Sequence, residues 1–446
     1  MERPPLSSSR HPHRRFALVL ARAFLAGPWE HPELVGRGRT AIGRKGRWLD
    51  AVARRLLVAF PSPAALRARW IADHLLADPQ FLKAIGKARV PLRAELSPVM
   101  RPAPGEPASW LVPAITTPAE LAAFCGVTIT QLEGLADCQG REKKARREPL
   151  RNYRYRVVAK PSGGSRLVES PKPRLKAIQR RLLDEIVARI PPHDAAHGFR
   201  PGRSVSSFVA GHAGRHIVLR MDLADFFPSI TSARVEAIFM TAGYPEDVAR
   251  LLAGLCTNVV PRHLEDGDGA DRATGWHSRR LLAEPHLPQG APSSPALANL
   301  AAHHLDVRLD ALARAAGARY TRYADDLVFS GDDAFARSVR RFSIHVAAIT
   351  LEEGFAVRHR KTRIMRRGVR QRAAGIMLNV RPNIPREDYD ALKAILHNCA
   401  RHGPEGQNRA GVSDFRAHLL GRIAYVSGIH PQRGARLKRT FDRIAW

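Results

Sequence analysis

Two adjacent carboxylates, Asp325 and Asp326, sit in Tyr323-Ala324-Asp325-Asp326. Tyr320 and Tyr323 precede them, Leu327, Val328 and Phe329 follow, and Gly331 closes the second run. These β-prone flanks predict a hairpin with both acids at its tip. Like charges side by side are costly unless a cation shares the site. A pair of divalent metals, about 3.5–4 Å apart, would supply it. A solvated Asp-Asp turn is the commoner explanation of such a dipeptide. A third acid changes the balance: the apolar strand Ile217-Val-Leu-Arg-Met-Asp222 ends in a carboxylate that needs a partner. If that strand lies beside the hairpin, Asp222, Asp325 and Asp326 form one triad of metal ligands. Oxygen-only ligands suit Mg²⁺.

Other segments suit phosphate. Tyr153 to Lys160 and Arg166 to Pro171 read as two strands joined by a basic, flexible tip, Lys160-Pro-Ser-Gly-Gly164. Such a tip could close over a triphosphate; a plain surface hairpin is the alternative. In His197-Gly-Phe-Arg-Pro-Gly-Arg-Ser204, Arg200 and Arg203 stand in a Gly-punctuated loop suited to phosphate or template contacts. Leu287-Pro-Gln-Gly290-Ala-Pro-Ser-Ser-Pro295 opens a helix running through Leu309. Its small residues let a backbone or base approach closely, although a well-capped core helix would look the same. Glu265-Asp-Gly-Asp268 lacks the remaining ligands of a calcium loop, and the stretch around it reads as a surface insertion.

The chain around these residues is long and basic. Its 446 residues predict two to three structural units. Lys plus Arg number 72 against 41 acids, a net charge of +31. Arg-favouring codon use alone does not leave acids so outnumbered, and a polyanion partner, most simply nucleic acid, follows. Cys125, Cys138, Cys256 and Cys399 form no CxxC, so neither a zinc site nor a disulfide framework is expected. No apolar run is long enough to span a membrane. Phe16 to Ala26 superficially resembles a signal peptide but is short and broken by Arg22, so a cytoplasmic protein is expected.

The remaining elements follow from periodicity. Residues 1 to about 15 read as disordered. Trp48 to Ala88 is helical, with Leu49, Val52 and Leu56, then Leu66, Trp70 and Ile71, at three- and four-residue steps. Val90 to Pro113 is a Pro-rich linker. Thr117 to Leu135 predicts two short helices, the first capped by Thr117 with Glu120 three residues on. Leu175 to Ile190 and Phe335 to Gly354 read as helices. Val357 to Met365, holding Lys361, and Ala374 to Val380 read as strands. From Arg386 onward helices dominate, and Lys438 and Arg439 lie in the last.

Taken in order, a basic hairpin, Asp222-Leu-Ala-Asp-Phe-Phe-Pro-Ser-Ile230, Leu287-Pro-Gln-Gly290, Tyr323-Ala-Asp-Asp326 and a Lys-bearing strand resemble a reverse transcriptase. Within that superfamily the chain most resembles the bacterial retron type, over roughly residues 117 to 446. The resemblance implies an α+β right-hand polymerase with fingers, a palm of antiparallel sheet and helices, and a helical thumb. The fingers and palm would span 111–385 and the thumb 386–446, after a basic tail and helical extension over 1–110. It implies that Asp222, Asp325 and Asp326, with the Leu223 carbonyl, hold two Mg²⁺, Mn²⁺ being an alternative ion. One ion would activate the primer hydroxyl and the other steady the triphosphate and leaving pyrophosphate. Phe227 would exclude the ribose 2′-hydroxyl, Lys160 and Arg166 neutralise the triphosphate, Gln289 line the nucleotide pocket and Lys361 act as a general acid. The thumb would grip an RNA–DNA hybrid by its phosphates. Implied partners are deoxynucleoside triphosphates, a structured noncoding RNA serving as template and primer, and an effector protein in phage defence. The product would be DNA branched from an internal 2′-hydroxyl.

Two departures stand out. Where retron enzymes carry Asn-Ala-x-x-His, this chain has Phe208-Val-Ala-Gly-His212; where they carry Val-Thr-Gly, it has Ala373-Ala-Gly375. Neither touches the three acids, but both bear on recognition of a particular RNA. The rival readings are another bacterial reverse transcriptase, such as a group II intron maturase, and a non-catalytic RNA-binding scaffold.

Overall fold

The computed structural model describes residues 13–43, 46–63, 66–86, 98–159, 165–261 and 276–446. The chain divides into two compact units, Met1–Pro191 with Phe227–Ala301, and Pro192–Phe226 with Ala302–Trp446.

The first unit begins with five helices, Arg14–Phe24, His31–Ile42, Trp48–Ala59, Ala68–Ala77 and Pro79–Ile85. They bury a shared core of Leu20, Phe24, Leu34, Leu49, Leu56, Ile71 and Phe81. The disordered start expected over residues 1 to about 15 falls mostly on residues 1–12, which lie outside the described ones, and the first helix begins at Arg14. The apolar Phe16 to Ala26 stretch runs along this first helix to just past its end, with Leu20 and Phe24 on its buried side and Arg22 exposed. The two short helices are Pro118–Cys125, capped by Thr117, and Ile129–Ala136, opened by a Thr128–Gln131 capping box. Strands β1 (Tyr153–Ala159) and β2 (Ser165–Pro171) pair antiparallel, Val158 opposite Arg166. Their joining tip, including Lys160, lies outside the described residues. The helix after Pro-Gln-Gly begins at Ser294, not at Leu287, and ends at Ala301. Residues 287–293 are instead a loop, and Leu309 belongs to a separate helix, His303–Ala315, in the second unit.

The second unit is built on a four-stranded antiparallel sheet in the order β4-β5-β3-β6. Its strands are β3 (Ile217–Asp222), β4 (Arg319–Tyr323), β5 (Asp326–Gly331) and β6 (Arg363–Arg366). The helix Asp333–Glu352 buries Phe335, Val339, Phe342 and Val346, and Phe342 meets Phe329 of β5 edge-on at 5.1 Å. Lys361 is not on a strand: it ends a 3-10 turn, His359–Lys361, just before β6. Nor is Ala374 to Val380 one strand. Ala374 and Gly375 take left-handed φ of 44° and 84° and fold the chain into a small hairpin of β7 (Arg372–Ala373) and β8 (Ile376–Met377). The helices Arg386–His402, Phe415–Ile429 and Pro431–Phe441 enclose a core of Leu392, Leu396, Leu419, Ile423, Leu437 and Phe441. Helices and antiparallel strands together make the fold α+β. Among the described residues no helix is long and apolar enough to cross a membrane.

Candidate active site

β4 and β5 are joined by a two-residue turn, Ala324-Asp325, with Tyr323 paired to Asp326. Ala324 holds a left-handed φ of 54°, an uncommon conformation for a residue with a Cβ. β3 runs antiparallel to β5 on its other side, and Asp222 stands directly opposite Asp326. The Leu223 amide donates to the Asp325 carbonyl at 2.9 Å, tying the end of β3 to the turn. Asp222, Leu223, Asp325 and Asp326 are thereby gathered at one end of the sheet.

Cationic side chains already stand on these acids. Lys361 Nζ lies 2.9 Å from Asp222 Oδ2. Arg220, two residues before Asp222 on the same face of β3, donates to Asp326 Oδ1 from Nε at 3.0 Å and Nη2 at 2.6 Å. The Arg358 amide donates to the Asp222 carbonyl at 2.7 Å. Burial, then the charges of Asp222 and Asp326, push the Asp325 carboxyl up to about 6. Burial likewise raises Asp326, against the pull of Arg220.

Among the described residues no group of three His, Cys, Asp or Glu side chains is close enough together to hold a metal ion as they stand. Asp222 Oδ1 nonetheless is buried with no hydrogen-bond partner among the described residues, Arg358 Nη1 being 3.7 Å away. An orphaned buried carboxylate oxygen and a neighbouring carboxyl raised by burial and by like charges are what a cation would satisfy, so the donor set fits divalent metal.

The loop before β3 is held against the turn. A Cβ on Gly198 would come within 2.8 Å of the Ala324 amide nitrogen, so only glycine permits this approach. The His197 amide donates to the Arg322 carbonyl at 2.8 Å. Arg200 and Arg203 both face Asp194, at 3.2 Å and 3.6 Å. His212, the matching residue of the departing Phe208–His212 pattern, is buried between Ser330 Oγ and Thr321 Oγ1, 2.7 Å from each. Burial pushes it down to about 3, so it is a neutral strut between β4 and β5. Lys438 and Arg439 are exposed on the last helix, Lys438 paired with Asp442.

Arg166, Phe227 and Gln289 fall in the first unit. Phe227 lines a cleft of about 330 Å³ with Lys176, Arg180 and Gly290 to Pro292. The Glu169 amide donates to the Gln289 carbonyl at 2.9 Å. Beneath this loop, Glu169 is fully buried and its carboxylate meets His286 Nε2 at 3.0 Å and Asn258 Nδ2 at 2.7 Å. Burial acts to lower His286, but the Glu169 charge and hydrogen bond outweigh it and leave it raised. Arg166 is exposed on β2.

Residues 158–398 match the reverse transcriptase (RNA-dependent DNA polymerase) family. The chain belongs to that family and is of the retron type. It is 41% identical over 332 residues to the retron Mx65 reverse transcriptase of Myxococcus xanthus, covering 74% of this chain and 73% of that one. It is 38% identical over 292 residues to the retron Mx162 reverse transcriptase of the same organism, covering 62% and 58%. The retron Ec86 reverse transcriptase of Escherichia coli is 28% identical over 291 residues, covering 64% and 80%. This reverse transcriptase is therefore an RNA-directed DNA polymerase, and divalent metal is the family's cofactor. The matched segment contains Asp222, Phe227, Gln289, Asp325, Asp326 and Lys361; it excludes the five N-terminal helices and Lys438–Arg439.

Sequence reading missed Arg220, Asp306, Arg322, Glu169 and His286. Arg220 left a signal, since positions 220 and 222 share one face of a strand. The Glu169–His286 pairing bridges residues far apart in sequence and left none.

Proposed function

We propose that this reverse transcriptase copies part of a dedicated noncoding RNA into DNA at a site formed by Asp222, Asp325 and Asp326. The observation that carries this is the pairing of β3 with β5, which sets Asp222 opposite Asp326 and leaves Asp222 Oδ1 buried and unsatisfied. In a right-hand description, the sheet β4-β5-β3-β6 is the palm, β1–β2 belongs to the fingers and residues 386–446 are the thumb. The five helices between Arg14 and Ile85 make an extension, within residues 1–110, that serves RNA or a partner.

The three carboxylates and the Leu223 carbonyl hold two Mg²⁺ ions, which when bound supply charge for the primer hydroxyl and the triphosphate. The protein's own groups position and neutralise. Lys361 and Arg220 hold the acids in place before substrate arrives, and Lys361 gives a proton towards pyrophosphate. Lys160 and Arg166 neutralise the incoming deoxynucleoside triphosphate. Phe227 and Gln289 shape its pocket, Phe227 against a 2′-hydroxyl. Arg200, Arg203, Lys438 and Arg439 contact phosphates of template and RNA–DNA hybrid.

The RNA serves as template and primer, extension starts from an internal 2′-hydroxyl, and the product is a branched RNA–DNA molecule. With an effector protein it acts in phage defence. The test is the nucleic acid that co-purifies when the protein is expressed with its native flanking DNA, treated with RNase and debranching enzyme and sequenced. A short DNA of defined sequence joined 2′–5′ to a locus-encoded RNA is expected. Bound RNA with no attached DNA would overturn the proposal.

A further inference from the structure

Behind the acidic turn lies a charged pair that faces no solvent. Arg322 on β4 and Asp306 on the helix His303–Ala315 are both fully buried. The guanidinium forks onto the carboxylate, Nε to Oδ1 at 2.7 Å and Nη2 to Oδ2 at 2.6 Å. Tyr320 adds its hydroxyl to Asp306 Oδ1 at 2.8 Å. The third guanidinium nitrogen, Nη1, reaches forward and donates to the Ala324 carbonyl at 3.1 Å.

That carbonyl belongs to the residue with the left-handed φ, immediately before Asp325. A non-glycine residue in this region persists only when its surroundings over-determine it. Gly198 presses on the Ala324 amide from one side and Arg322 grips its carbonyl from the other. Arg322 also lies over the ring of Phe226, 5.7 Å from its centroid, four residues beyond Asp222. One buried side chain thus touches the turn that carries Asp325 and Asp326 and the segment that continues from Asp222. A buried ion pair is weak evidence for stability, since apolar residues of similar volume often serve as well. Its fork geometry, with a third donor aimed at a strained peptide, points instead to direction.

We propose that Arg322, anchored by Asp306 and Tyr320, is a positioning residue that fixes the Ala324 peptide and thereby aims the Asp325 and Asp326 carboxylates at the metal ions. This rests on the reading of Asp222, Asp325 and Asp326 as the metal ligands. Removing Arg322 alone would strand a buried carboxylate, so the informative variant replaces the polar set together: Arg322→Met, Asp306→Leu and Tyr320→Phe. Mn²⁺ binding to the full chain without RNA or nucleotide is followed by loss of the free-ion paramagnetic resonance signal, and dNTP incorporation is measured alongside. The variant is expected to fold with the thermal unfolding of the parent. Its Mn²⁺ affinity should fall by roughly 10–100-fold and kcat by a similar factor, with KM for dNTP and affinity for RNA held. A folded variant with parental Mn²⁺ affinity and kcat overturns the proposal. If the triple change prevents folding, Arg322→Lys decides: it keeps a cation for Asp306 without the three-way fork and should show the same weakened Mn²⁺ binding, whereas parental binding overturns the proposal. Asp325→Asn, run in parallel, separates this from the site itself: polymerisation that survives Asp325→Asn refutes the ligand assignment, while its loss beside an unimpaired triple variant refutes only the role of Arg322.

Discussion

Lys361 Nζ and Asp222 Oδ2 are 2.9 Å apart, so the carboxylate at the end of β3 is partnered by a lysine from the turn before β6. Asp326, directly opposite Asp222, is partnered by Arg220. Two of the three acids, Asp222 and Asp326, therefore each carry a cationic partner supplied by the protein itself. On the proposed assignment, ions and substrate compete with these cations or rearrange them, which gives Lys361 and Arg220 two separable effects.

On the proposed roles, replacing Lys361 with Gln removes both a competitor for Asp222 and a proton donor. Divalent-ion affinity is expected to rise while turnover falls by about 100-fold or more, in the range of general acid catalysis. Ion titration and single-turnover primer extension on the same preparation check the opposite signs. Parallel losses in both would mean that Lys361 only supports the structure.

Asp325 gives a pH signature. Its carboxyl is raised to about 6 by burial and by its two acidic neighbours. If Asp325 is a metal ligand as proposed, it binds as the carboxylate, so the Mg²⁺ requirement should climb as pH falls through about 6, well above the ordinary range near 4. Stability runs the other way. A carboxyl raised in the folded state stabilises the fold while protonated, fully below its unfolded value near pH 4, and loses that contribution as pH rises through about 6. At pH 7.5 in EDTA, Asp325→Asn should thus be more stable than the parent by about 1–3 kcal/mol. Mg²⁺ should raise the melting temperature of the parent more than that of the variant. Denaturation with and without Mg²⁺ tests both statements.

Phe227 is half-buried at the cleft it shares with Gly290 and Arg180. Phe227→Ala should admit ribonucleotides, narrowing the preference for deoxynucleotides by about 10–100-fold, with dNTP incorporation largely retained. Competition between the two triphosphates on one RNA template measures it. Unchanged exclusion would refute the gating role.

Glu169 and His286 form a buried pair beneath the Gln289 loop. Glu169→Ala leaves His286 and Asn258 without their partner and should cost about 3–5 kcal/mol in urea denaturation. His286 is raised in the folded state, so its share of that stability is present below about pH 6.5 and is lost as pH rises through the folded value. The parent-to-variant gap should accordingly narrow at alkaline pH.

What the sequence disclosed was local. The acids of the turn could be read from β-prone flanks around Asp325 and Asp326, and Asp222 from its place at the end of an apolar strand. The register that sets Asp222 opposite Asp326 depends on which strands pair, and periodicity does not encode that. Ala374 and Gly375 break an expected strand because two successive left-handed residues turn the chain, a choice invisible to hydropathy. The helix expected at Leu287 starts only at Ser294, since the Glu169 amide takes up the Gln289 carbonyl and holds that stretch as a loop. Arg322 read as one more basic residue of a basic chain; only burial against Asp306 sets it apart.

The most direct test of the account is primer extension with dNTPs on an RNA template in Mg²⁺, comparing the full chain with Asp222→Asn and Asp325→Asn. The parent should extend the primer, and each variant, still folded and still binding RNA, should lose on the order of 1,000-fold or more in rate. Extension by either variant at the parental rate would contradict the assignment of these carboxylates as the centre of the polymerase.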